Sequence, residues 1–344
     1  MKRFLITVLP GLAILGAMLF TPGCSQADKA KEKISVLLID GQNNHNWVET
    51  SPVLVALMEQ SGRFQVTVST SPAGPPKPPR RPKEKTPESD QAFKEALQAY
   101  EKSVTEVKAK SKSEWEQWRP DFAAYDVVVS NYNGELWPEE VQKSFEAYVG
   151  GGGGFVSVHA ANNAFPQWSA YNEMIGLGGW GGRSELSGPY LRLREGKWTK
   201  DMSEGRGGAH GKRHEFLVEM TEVDHPITQG IPSMWLHAED ELYDRLRGPA
   251  QNVTVLAGAF SDVDTGGSGE TEPMLMTIDY GEGSVFHTTL GHDVTAMSSL
   301  GFQETLLRGI EWAATGEVAS PSVLTDVLNP DAVSVREVTV SSEN

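Results

Sequence analysis

Cysteine is nearly absent: Cys24 is the only one in 344 residues. No disulfide can form within the chain, and its body offers no thiol for nucleophilic, redox or zinc chemistry. Positive charge is also scarce, with 30 Lys and Arg against 46 Asp and Glu, a formal net charge of −16. That balance repels phosphate backbones, so no nucleic-acid partner is expected. Internal repeats are missing, and so are long apolar runs beyond the first 20 residues. The length suits one large domain with a sizeable core.

The one long apolar run, residues 4–20, follows Lys2 and Arg3 and precedes Thr21-Pro22-Gly23-Cys24. Pro10 and Gly11 interrupt it, and its length is marginal for a membrane span, so it reads as an export signal. Cys24 stands where a bacterial lipoprotein is cleaved and lipidated. The expectation is a lipoprotein signal peptide at 1–24, an exported protein of the bacterial cell envelope, and a membrane partner reached through Cys24. Residues 25–33 are then a polar tether, 34–316 the folded domain and 317–344 a polar tail.

The domain is organised around residues 150–163. A helix over 138–149, with Pro138 in its first turn and Val141, Phe145 and Val149 on one face, runs into five glycines. Residues 155–158 then form a short apolar strand of the kind buried on both faces of a parallel sheet. His159 follows it, at the strand end where α/β sheets gather ligands.

Residues 34–39 form the first strand, ending at Asp40. A polar loop holds Asn43, Asn44, His45 and Trp47, and a helix and a second strand over 64–68 complete a right-handed βαβ unit. The stretch 71–118 breaks this rhythm. A proline-rich basic linker leads into a charged helix with Phe93, Leu97 and Tyr100 on one side, an insertion expected to face solvent. The next strand, 125–130, ends in a second polar and aromatic loop with Asn131 and Asn133. Residues 165–211 are glycine-rich and irregular, carry Trp180 and Arg183, and have the character of a loop that covers a site. Strands follow at 216–220 and 253–260. His225, before a proline in a turn-rich connector, reads as structural. A hairpin over 273–290 ends in Gly291-His292-Asp293, and a last helix spans 298–314.

With these pieces placed, several motifs carry a family likeness. They are Asp40-Gly41-Gln42-Asn43-Asn44-His45-Asn46-Trp47, His159-Ala160-Ala161, Trp180-Gly181-Gly182-Arg183, His225-Pro226-Ile227-Thr228, Asp240-Glu241-Leu242-Tyr243 and Thr289-Leu290-Gly291-His292. Together they resemble the ThuA-like (trehalose utilisation) family, over about residues 33–316 apart from the insertion. The resemblance implies a class I glutamine amidotransferase-like fold: a flavodoxin-like three-layer α/β/α sandwich with a mostly parallel central sheet. It also implies a role in the metabolism of trehalose-like disaccharides or 3-keto-glycosides, with a sugar dehydrogenase as functional partner. In the amidotransferases the strand-to-helix elbow carries a nucleophilic cysteine. Here that tip is His159-Ala160-Ala161, with no Cys, Ser or Thr, so an acyl-enzyme mechanism is not expected.

The expected catalytic groups are His159, His45, His292, Asp240 and Glu241, because histidine titrates near neutrality and a carboxylate can orient it or act as base. Asn43, Asn44, Trp47, Asn131, Asn133, Trp180, Arg183 and His237 are expected to bind a small carbohydrate through its hydroxyls and the apolar face of its ring. A metal-free site is preferred. The same histidines and acids could instead hold zinc or manganese, so that alternative stays open. Two functions remain open as well: a lyase, isomerase or hydrolase acting on oxidised disaccharides, and a non-catalytic sugar-binding lipoprotein.

Overall fold

Short valine- and isoleucine-rich runs bounded by polar loops build the sheet. The computed structural model describes residues 33–319 and 324–340. Residues 1–32, where the export signal, Cys24 and the tether are expected, lie outside the described residues. Among those described, no helix is long and apolar enough to cross a membrane.

The first half alternates strand and helix: β1 (Ile34–Asp40), α1 (Trp47–Gln60), β2 (Phe64–Thr70), α2 (Pro87–Gln117), β3 (Val127–Ser130), α3 (Glu139–Gly150), β4 (Gly154–Val158) and α4 (Ser169–Ile175). The second half is mostly strand. It runs through β5 (Tyr190–Arg194), β6 (Lys197–Asp201), β7 (Ala209–His210), β8 (His214–Met220), β9 (Met234–Asp240), β10 (Tyr243–Asp244), β11 (Val253–Phe260), β12 (Thr271–Tyr280) and β13 (Gly283–Thr288). Helices α5 (Val294–Met297) and α6 (Leu300–Thr315) close the domain.

Nine strands form one sheet in the order β2-β1-β3-β4-β13-β12-β11-β8-β9. From β2 to β13 neighbours are parallel; from β13 to β9 they are antiparallel. The sheet is therefore mixed, where the sequence suggests a mostly parallel one. The second half is joined by hairpins and short connectors, and only antiparallel neighbours can be linked that way.

Successive residues of a strand point to opposite faces, and this alternation splits the core in two. Val36, Leu38, Val127, Val129, Val156 and Val158 face α1 and α6. Leu37, Ile39, Val128 and Phe155 face α3 and α4. Helix α3 shows the local logic well. Glu139 and Glu140 lie in its first turn, Val141, Phe145 and Val149 are its buried stripe, and Gly152 at φ +108° follows its end. Each such fully buried aliphatic side chain contributes about 1.5–3 kcal/mol.

The insertion mostly faces solvent as expected. Ser111 is the only buried residue of α2, whose start is closed by a reciprocal Thr86–Ser89 cap. Its far end is not free, because Trp115 and Trp118 pack on the second core and Trp118 meets the ring of Trp137 at 5.4 Å. The described tail residues, 317–319 and 324–340, differ from a solvated tail. Leu324 and Leu328 are buried in the first core, and Leu236 N–H donates to the Asn329 carbonyl at 2.9 Å. Residues 165–211 also hold more structure than their glycines suggest, namely α4 and the β5–β6 hairpin.

Candidate active site

Four strand ends meet at one edge of the sheet. β1, β4 and β13 are parallel, so their carboxyl ends coincide. Four antiparallel steps from β13 return β9 to the same direction. His45 follows β1, His159 follows β4, Glu241 follows β9 and His292 follows β13. These residues converge. Ring centroids of His45 lie 4.5 Å from His292 and 4.9 Å from His159, and His159 lies 5.6 Å from His292.

Glu241 is the centre of the group. Nε2 of His292 is 3.3 Å from its carboxylate, that of His210 3.6 Å, that of His159 3.7 Å and that of His45 3.9 Å. Burial tends to raise the Glu241 pKa, but the His159, His292 and His210 rings beside it hold it below its usual value. His45 is pushed down to about 3, first by burial and then by the neighbouring His159 charge, so it is neutral at physiological pH. Tyr243 is pushed well above its ordinary value by burial and by the Glu241 charge; it stays a hydroxyl, 3.1 Å from Nε2 of His45. His159 is buried with a left-handed backbone at φ +45°. Such a conformation costs about 1–3 kcal/mol and clusters at functional sites.

Of this group His45, His210 and Glu241 line a cavity of about 310 Å³, together with Asn44, Asn133, Asn163, Trp180 and Tyr243; His159 and His292 do not line it. Of the residues expected to bind ligand, Asn44, Asn133 and Trp180 reach this wall. Asn43 and Asn131 brace it from behind. Asn43 Nδ2 donates to the Asn131 carbonyl at 3.0 Å, and Asn131 Nδ2 donates to Thr50 and Ser51 hydroxyls at 3.0 and 3.1 Å. Trp47 opens α1 and does not line the cavity.

Three expected site residues have other work. Arg183 is buried and donates to the carbonyls of Asn163, Ala164 and Gly179 and to Asn172 Oδ1, pinning the loop. Burial pushes its guanidinium down to about 10. Asp240 is fully buried, and its oxygens accept from Glu241 N, His292 N, Gly291 N and His237 Nε2. With every acceptor position used, it is a positioning residue that holds the turn carrying His292. Burial alone would raise its pKa, but the His237 bond and nearby histidines hold it low. His237, also fully buried, orients Asp240 and touches no ligand space.

The sequence reading misses His210, Asn163 and Tyr243. His210 and His214 stand four apart, a spacing of metal-ligand pairs on helices. Here they lie on β7 and β8, and only His210 reaches the cavity. Tyr243 is brought in by the short β10–β7 pairing, which no periodicity reveals. A larger cavity, about 460 Å³, lies by α1, α6 and residues 336–338. Its Arg63 pairs with Glu311 and its Arg336 with Glu304, and it holds no histidine.

The family model for trehalose utilisation, ThuA, matches residues 80–313. The chain belongs to the ThuA family. This places it in carbohydrate metabolism at the level of the family. A solved ThuA-like protein of Parabacteroides merdae is 41% identical with a TM-score of 0.75, over 89% of this chain and 98% of that one. A ThuA-like protein of Bacteroides uniformis shares the fold at 14% identity and a TM-score of 0.51, over 84% of this chain and 94% of that one. No curated protein matches the chain significantly. The ThuA family match begins at residue 80, after the loop that supplies His45; the likeness to the Parabacteroides protein covers more of the chain.

Proposed function

We propose that this ThuA-family protein is an enzyme that moves a proton beside the carbonyl of an oxidised glycoside, a 3-keto disaccharide of the trehalose type. The convergence of His45, His159, His210 and His292 on Glu241, at the wall of a small cavity, carries the reading. A keto group acidifies the neighbouring C–H, so a carboxylate or a neutral imidazole suffices to remove that proton. Its return at the adjacent carbon is an isomerisation. Departure of the glycosidic oxygen, protonated by a second imidazole, cleaves the disaccharide.

At about 310 Å³ the cavity is at the low end of small-ligand sites, roughly 300–1,000 Å³, and suits one sugar ring with the second projecting outward. Asn44, Asn133 and Asn163 suit hydroxyls, while Trp180 and Tyr243 suit the apolar face of a ring. The reading includes a flavodoxin-like three-layer fold, export with anchorage at Cys24, and a sugar dehydrogenase that supplies the keto substrate. Helices on both faces of the parallel strands support the first of these.

The test is incubation of the purified protein with 3-keto-trehalose in heavy water, followed by NMR. Deuterium should enter beside the carbonyl as product forms, and Glu241→Gln should slow both by about 10²–10⁴-fold. Tight sugar binding with neither exchange nor product would make the protein a sugar-binding module and end the enzymatic reading.

A further inference from the structure

The rings around Glu241 share a feature that acid/base chemistry does not require. The Asn44 amide donates to Nε2 of His45 at 2.9 Å, so this ring takes an ion only in place of that bond. Nδ1 of His159 donates to the Thr289 carbonyl at 2.6 Å, and Nδ1 of His210 donates to the Gly211 carbonyl at 2.7 Å. Nδ1 of His292 faces the Asp293 carboxylate at 3.3 Å. Amide N–H groups only donate, while carbonyls and carboxylates only accept. Nδ1 of His159 and of His210 therefore carries a proton, and Nε2 of both rings and of His292 turns toward the Glu241 carboxylate. Ring nitrogens and carboxylate oxygens gathered in this way form a donor set that a cation would complete.

The distances indicate which kind of cation. Protons shared in charge-assisted hydrogen bonds would draw nitrogen and oxygen to about 2.7–2.9 Å. The observed separations are 3.3–3.9 Å. Two ligand atoms on one tetrahedral ion, each about 2.0–2.2 Å from it, lie roughly 3.3–3.6 Å apart; His292 meets this, and His45, at 3.9 Å, closes in slightly on an ion. An outer hydrogen bond from Nδ1 to a carbonyl, as His159 makes to Thr289, is also how metal-ligating histidines are usually oriented. Nε2 of His159, on a side chain only 3% exposed, has no hydrogen-bond partner among the described residues.

We propose that His45, His292 and Glu241, beside the buried Nε2 of His159, hold a divalent transition-metal ion. Ligand atoms of the first three lie within 4.8 Å of one another. An imidazole-rich set with one carboxylate suits zinc or manganese rather than magnesium or calcium, which take oxygen ligands. The inference does not depend on which reaction the protein catalyses. With an ion bound, Glu241 serves as a ligand, and His210, the most exposed of the four rings, is free to carry a proton.

The full chain, stripped with a chelator, is titrated with Zn²⁺ by calorimetry and with Co²⁺ by visible spectroscopy. We expect one ion per chain and a d–d band typical of nitrogen and oxygen ligands. Affinity should fall more than a hundredfold in Glu241→Gln and in His292→Gln, and stay unchanged in His214→Ala. Thermal melts separate loss of ligand from loss of fold, and the near-isosteric Glu241→Gln decides if His292→Gln does not fold. Absence of stoichiometric binding, or binding indifferent to Glu241→Gln, overturns the site. Intact metal binding without turnover overturns the acid/base reading alone. Turnover with no ion bound, in protein that also fails to bind Zn²⁺, overturns the metal site alone.

Discussion

Replacing Asp240 by asparagine tests whether the site is built from behind. The four bonds to its carboxylate are Glu241 N and His292 N on Oδ1, at 2.7 and 3.1 Å, and Gly291 N and His237 Nε2 on Oδ2, at 2.7 and 3.0 Å. The least damaging placement of the new amide nitrogen is toward His237, which can accept by changing tautomer. Gly291 N–H cannot, and an unpaired buried donor costs about 1–3 kcal/mol. The two bonds kept on Oδ1 lose their charge assistance, about 1 kcal/mol each. A neutral amide is easier to bury than a carboxylate, which offsets part of this, so we expect a net loss of about 3 kcal/mol. Urea unfolding should show that loss as a lower midpoint with an unchanged slope. Turnover and metal affinity should fall together, because the turn carrying His292 moves. Gly291→Ala should act similarly from the other side, since its φ of +104° excludes most side chains and a Cβ would sit 2.8 Å from the Phe302 ring. A loss below about 1 kcal/mol in Asp240→Asn, with activity intact, would refute a positioning role for Asp240.

Burial pushes the buried His287 down to about 4, with its ring between Ile175 and Asn162. The unfolded chain binds that proton near pH 6.5, so this group's stability is complete above about pH 6.5 and is lost as pH falls toward 4. The loss is about 3 kcal/mol, and His287→Asn should flatten that part of the stability–pH curve measured by denaturant unfolding. Deleting residues 80–112 and joining the ends with a short flexible turn should leave a soluble, cooperatively melting domain, while removal of Trp115 and Trp118 as well should not, as calorimetry would show. Fatty-acid labelling of cells should mark the wild-type chain and not Cys24→Ser; label persisting on the variant would end the anchoring proposal.

Local pattern determined much of this protein. Apolar runs bounded by glycines and polar loops placed β1, β3, β4, β11 and the β12–β13 hairpin, because strand burial and turn chemistry act over a few residues. The same reasoning put His45, His159 and His292 at strand ends, where parallel strands must open toward ligand. Tertiary structure decided the rest. That Glu241 rather than Asp240 faces the cavity depends on the exact end of β9, since successive side chains point opposite ways. Arg183 became a loop pin because three carbonyls surround it, none of which the sequence can locate. His210 and Tyr243 arrive through a two-residue pairing of β7 with β10, too short to leave a periodic trace. The direction of β9, which brings Glu241 to the edge shared with three histidines, follows from a chain of antiparallel pairings that only the assembled sheet can fix.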